Sequence, residues 1–251
     1  MAKGFSTQDG KLVPTCSFDK WQRITTLGND HEGLAPLQVV EGCGFSMAMV
    51  VRFALGHSAA GGNITAFASD SVYGWTVLAA ARHLLNAGST LQIVIPGTRL
   101  PTSENGERLL RTLGARGAEI RLWDAPSWNA VARIVESSHN VLCGLSDLKR
   151  ELAYWTNEFT EHMNESHVPV HVVGAPTGLD LDGNTTSRAR LYASSTLSIG
   201  LPLEPLSESP DLIGRHYLAD AGWSIAAYRN VLFEGEPLFA EQPVVRLAEP
   251  S

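Results

Sequence analysis

The stretch NITAFASDSVYGWTVLAAARHLLN, residues 63–86, runs from a short apolar segment straight into a helical pattern. "NITAFA" is compact, apolar and bounded by polar residues, the form of a strand covered on both faces. From Trp75 to Asn86 the apolar residues recur at helical spacing. In a nucleotide-binding βα unit the intervening loop is rich in glycine, because the backbone must approach a phosphate at the helix N-terminus. Here "SDSVYGWT" keeps only Gly74. The stretch reads as a βα unit whose ligand loop is working, rebuilt or retired.

Outward from it, strand and helix signals alternate. Upstream, "APLQVVEGCGFSMAMVVRFAL" (35–55) predicts a long packed helix ended by Gly56. Downstream come "TLQIVIP", a helix from Ser103 to Leu113 opened by "TSENGERLL", "EIRLW", the helix "SWNAVARIVESS", "NVLCGL", a helix from Leu148 to about Asn164, and "VPVHVVGAP". This order predicts an α/β fold, a mainly parallel, doubly wound sheet with helices on both faces. After Asp182 come shorter strand-like pieces, "LYASSTLSIGLP" and "HYLADAGWS". A tail with Pro237 and Pro243 follows, with no clear period. With no internal repeat or linker, the expectation is a single domain: an N-terminal extension (1–33), a core (34–225) and a C-terminal tail (226–251).

Composition narrows the function classes. A chain of 251 residues with 44% hydrophobic content can build a full core. Its net charge of −7, with no basic stripe, argues against nucleic acid. No apolar window of bilayer-crossing length and no signal-peptide core are apparent, so no membrane partner and a cytoplasmic location are expected. Cys16, Cys43 and Cys143 are too few and too widely spaced for a disulfide framework, and the eight histidines lack metal-ligand spacing.

In such a sheet ligands bind beyond the carboxyl ends of the strands, which singles out "SDSVYGWT", "PGTRLPTSEN", "CGLSD" and "GAPTGLDLDGN". These segments resemble, in order, those of the YjeF N-terminal domain family, the NAD(P)HX epimerases. "QVVEGCG" (38–44) is similar to the family's Gln-Leu-Met-Glu-x-Ala-Gly helix, with Glu41 on the Glu. "LAAARHLLNAG" is similar to Leu-Val-Ala-Ala-Arg-His-Leu followed by Gly, and "VPVHVVGAPTGLDLDGN" to Val-x-Val-Asp-Ile-Pro-Ser-Gly-Leu-Asp-x-Asp-x-Gly. "TLSIGLP" and "GRHYLADAGWS" resemble Thr-Val-Thr-Phe-Gly and Gly-x-Val-Tyr-Val-Ala-Asp-Ile-Gly-Ile. The resemblance implies a three-layer αβα Rossmann-like domain, a homodimer, and epimerisation of hydrated nicotinamide dinucleotides by an Asp beside a bound potassium ion.

The chain departs from that pattern where the chemistry would be. The family loop Gly-Asn-Asn-Gly-Gly-Asp-Gly falls on Ser71, Val72, Tyr73, Gly74, Trp75, Thr76 and Val77, and the catalytic Asp falls on Gly174. The implied potassium ligands become Tyr73, Asn140, near which the family's Asp falls, so that the formal charge is lost, and Thr177. No cofactor is therefore expected, and neither potassium nor an NAD(P)-type ligand.

The first functional expectation is a re-purposed enzyme on a small molecule, with proton-transfer chemistry of the isomerase, lyase or cyclase type. Its candidate catalytic residues are Asp70, Asp180 and Cys143, and its substrate contacts Ser71, Tyr73, Trp75, Thr76, Asp147 and Thr177. Against each stands a plainer role: a helix cap for Asp70, turn chemistry for Asp180 and Asp182, a packed core thiol for Cys143. The alternative is a non-catalytic pseudoenzyme, a dimeric scaffold or ligand-sensing module. True epimerase activity ranks last. Tyr73 and Trp75 are either a hydrophobic plug or a stacking platform.

Overall fold

The computed structural model describes residues 4–124, 128–146, 153–179, 181, 189–229 and 237–248. Seven strands run parallel: β3 (Asn63–Ala68), β4 (Thr90–Pro96), β5 (Glu119–Trp123), β6 (Asn140–Gly144), β7 (Val170–Val173), β8 (Ser195–Ile199) and β9 (Arg215–Ala219). Three more extend one edge antiparallel: β1 (Phe5–Thr7), β2 (Leu12–Val13) and β10 (Val244–Ala248). The full order is β2-β1-β10-β9-β8-β7-β6-β3-β4-β5.

The chain order reverses between β3 and β6, which pair from Ile64↔Asn140 to Ala68↔Gly144. Such a switch leaves a crevice beyond the strand ends, so the loops after Ala68 and Gly144 mark the place to search.

Helices cover both faces. On one lie α1 (Phe18–Glu32), α2 (Pro36–Met49), α3 (Val72–Asn86) and α4 (Glu104–Gly114), which bury Trp21, Val40, Leu78 and Leu110 with Ile64 and Ala66 of β3. On the other lie α5 (Trp128–Glu136) and α6 (Ala153–Glu165), whose Val135 and Phe159 pack with Phe67 and Cys143. Alternate residues of β3 thus feed two separate cores, as a period of two requires. The expected three-layer α/β architecture is present. Short helices α7 (Glu204–Glu208), α8 (Pro210–Ile213) and α9 (Ile225–Arg229) complete the first layer's side.

Several details differ from the sequence reading or add to it. α2 continues through a π-helical turn, Val50–Ala54, in which the Leu55 N–H reaches the Val50 carbonyl at 2.9 Å before Gly56 ends the run. Together they span 19 residues and are apolar enough to cross a membrane by length and composition, which corrects the expectation that no such window exists. Half of that run is buried inside the protein, and Gly44 brings α2 into backbone contact with Ala80 of α3, so it serves as a core helix. The N-terminal segment packs against the core: α1 drives Trp21 inward, where its Nε1 donates to the Ile199 carbonyl at 2.8 Å. The tail supplies β10, and the strand in "LYASSTLSIGLP" is confined to Ser195–Ile199. Residues 148–152, where the helix running to about Asn164 was expected to begin, lie outside the described residues.

Candidate functional site

The altered loop is shorter than the sequence suggests. α3 begins at Val72, not Trp75, with Ser71 as N-cap: its Oγ accepts the Gly74 N–H at 3.4 Å and lies 2.9 Å from Ser69 Oγ. Ser69 Oγ in turn donates to the Gly144 carbonyl at 2.8 Å, stitching the ends of β3 and β6 together. Tyr73, Gly74, Trp75 and Thr76 therefore belong to the first turn of a helix. Gly74 is required by packing, since a Cβ there would collide with the Ser69 backbone.

Residues two apart on a helix diverge by about 200°, so Tyr73 and Trp75 cannot share a wall. Tyr73 points inward and is 2% exposed, its ring 5.4 Å from that of Trp21. Trp21 meets Trp223 edge-on at 5.9 Å, and Trp223 meets Tyr228 at 5.7 Å, a continuous aromatic wall. Gly200, at φ +68°, allows the Trp223 ring to lie against its backbone. Trp75 turns outward, and its Nε1 donates to Asp70 Oδ1 at 2.9 Å.

Asp70 faces the neighbouring helix. Its carboxylate accepts the backbone N–H groups of Thr102 and Ser103, each at 3.2 Å, and the Ser103 hydroxyl. It therefore ties the β3–α3 loop to the N-terminus of α4, where a carboxylate is favoured by the helix dipole. Partial burial pushes its pKa up, but the hydrogen bonds from Ser103, Trp75 and Thr102 outweigh this and hold it below the usual Asp value. Gly106 gives the carboxylate room: a Cβ there would stand 2.7 Å from Asp70 Oδ1.

The remaining candidates do not converge on Asp70. Cys143 is 0% exposed in the α5/α6 core, its Sγ 3.5 Å from Thr177 Oγ1, and burial pushes the thiol up to about 11. Thr177 is 2% exposed. Thr76 is buried and its hydroxyl donates to the Val72 carbonyl at 2.7 Å, inside the helix. Asp147, Asp180 and Asp182 lie outside the described residues. Asn140 opens β6 and sits at the opposite end of the sheet, 3.0 Å from His171 Nε2. The expectation that it stands in for a strand-end cation ligand is corrected: within β6 the side chain that meets Thr177 is that of Cys143.

Gly174 marks the meeting point of these loops. It follows β7 at φ +90°, and a Cβ there would stand 2.7 Å from Tyr73 Cδ1, 2.8 Å from Tyr73 Cε1 and 2.7 Å from Ser146 Oγ. Ser146 Oγ lies 2.9 Å from the Val173 carbonyl and 2.8 Å from that of Ala175, and accepts the Ala175 N–H at 2.9 Å. The sequence reading passed over Ser146 and Trp21; the small "GLS" turn and the helical period of "FDKWQRI" were their only signals.

At the other end of α3, Glu41 of α2 binds Arg82 and, at 2.8 Å, His83 Nε2. This staple joins the two helices that carry the motif resemblance.

No family model matches the chain. It is 25% identical to an NAD(P)H-hydrate epimerase of Dehalogenimonas lykanthroporepellens over 230 residues, 91% of this chain and 90% of that relative. The crystal structure of yeast YNL200c superposes with a TM-score of 0.75 at 20% identity, covering 93% of this chain and 100% of the yeast chain. Near-complete coverage in both, with the motifs in register, supports reading this chain as a divergent YjeF N-terminal domain.

Proposed function

We propose that this protein is a non-catalytic member of its family, a homodimeric scaffold or ligand-sensing module whose strand-end site is filled by its own Tyr73. One observation carries the reading: the Tyr73 ring stands where any side chain on Gly174 would have to project. The motif resemblance puts the family's acid/base at Gly174, and a glycine has no side-chain proton to move. The first turn of α3 adds to this, because its Cβ atoms and the Tyr73 ring fill space that backbone N–H groups need around a pyrophosphate.

The re-purposed enzyme loses its best-placed groups. The Asp70 carboxylate is engaged by four donors, and the Cys143 thiol stays protonated at neutral pH. A potassium site at the strand ends would have a buried thiol beside Thr177 in place of a charged oxygen, a poor match for a hard cation. Incubation of the purified protein with the epimers of hydrated NADPH should leave their interconversion at the uncatalysed rate. Sedimentation should show a dimer. Turnover that disappears in Asp70→Asn would overturn the proposal in favour of an enzyme.

A further inference from the structure

A separate cavity lies at the antiparallel edge, at the opposite end of the sheet from Gly174. It has a volume of about 440 Å³ and is bounded by Pro210 and Ile213 of α8, Gly214, the start of β9, the end of β10 and Phe5 and Gln8 of the N-terminal strand region. That volume is in the range of small-molecule sites, roughly 300–1,000 Å³.

Strand register explains which side chains gather there. Arg246 is paired with Tyr217, so Arg215, two residues back on β9, lies on the same face and diagonally adjacent. Ser6 is opposite Ala248 and Thr7 opposite Leu247, which places Gln8 beside Arg246 on that face too. Both arginines are exposed, and neither has a carboxylate within ion-pairing distance among the described residues. In a chain of net charge −7, two adjacent arginines without a carboxylate partner need an explanation. The cavity is further lined by His216, which is buried; its Nε2 lies 2.8 Å from Ser198 Oγ, and its Nδ1 has no hydrogen-bond partner.

We infer that this cavity binds a small oxyanion-bearing molecule, a phosphate ester or a carboxylate, held by Arg215 and Arg246 with Gln8 as a neutral donor. Guanidinium groups grip such anions through paired N–H donors. The inference stands on this edge alone and does not depend on whether the strand-end site is closed.

Calorimetric titration with phenyl phosphate and, separately, with succinate tests it, each at constant ionic strength. Saturable binding of either supports the site, and the tighter probe identifies the anion. Arg215→Gln and Arg246→Gln should each weaken binding by about tenfold or more, while Arg108→Gln, in an exposed pair with Glu104 on α4, should leave it unchanged. Both arginines are exposed, so circular dichroism should show all three variants folded. Absence of saturable binding of both probes, or binding indifferent to both arginine substitutions, would overturn the inference.

Discussion

Adding one methyl group at Gly174 tests whether Tyr73 is wedged against it. In Gly174→Ala the new Cβ meets two Tyr73 ring carbons at 2.7 and 2.8 Å and Ser146 Oγ at 2.7 Å, and the residue must hold φ +90°. The backbone conformation costs an L residue about 1–2 kcal/mol, and overpacking a tight core about 1–3 kcal/mol. The variant should therefore lose about 2–5 kcal/mol in urea denaturation, a large part of a domain's usual stability. A double-mutant cycle isolates the ring's share. Tyr73→Ala costs about 3–5 kcal/mol on its own as a buried aromatic truncation. In its background, however, Gly174→Ala should cost less by about 1–3 kcal/mol, because the clash with the ring has gone. Effects that add to within about 0.5 kcal/mol would refute the reasoning, since the two residues would then not be sharing space.

Three further outcomes follow from the same geometry. Asp70→Ala should cost about 1 kcal/mol and raise amide exchange at the start of α4; because the folded pKa is depressed, this loss is present at neutral pH and fades as acid protonates the wild-type carboxylate below about pH 4. An unchanged difference at low pH would contradict the role given to the charge. His171 and His216 are held neutral by burial, with pKa values near 3 against an ordinary 6.5, so the unfolded chain binds more protons between those values. Stability should fall as pH drops from about 6.5, by about 2.7 kcal/mol per unit once both unfolded imidazoles are protonated, whereas a flat urea midpoint from pH 6.5 to 4.5 would count against it. Burial also pushes the thiols of Cys16, Cys43 and Cys143 up, so a disulfide reagent should react slowly with the native protein and with three equivalents on unfolding. Fast reaction of one thiol in the native state would show a reactive cysteine.

How far the sequence could be read depended on the physics of each segment. Strands such as "NITAFA" and "NVLCGL" are buried on both faces, so their unbroken apolar runs announced a parallel sheet before any coordinates. The antiparallel edge was harder. β1 and β2 are three and two residues long, too short to show a period, and β10 follows Pro243 in a segment whose alternation, VVRLA, covers only five residues. Trp21 was missed for a related reason: α1 carries mostly polar residues, and only tertiary packing shows that its indole reaches Tyr73.

At the candidate site, the substitutions in "SVYGWTV" were visible but their directions were not. Whether Tyr73 and Trp75 point together depends on where α3 begins, a boundary set by the Ser71 cap and three residues earlier than the apolar period suggests. Asn140 shows the same limit. Its distance along the chain from the strand-end loops is small, but five residues of β6 carry it to the far end of the sheet.

The central claim is that Tyr73 closes the family's site. A crystal of the protein soaked with NADPH tests it most directly. The account predicts the Tyr73 ring lying over Gly174 and no dinucleotide along residues 69–74. Density for NADPH there, with the ring swung away from Gly174, would contradict it.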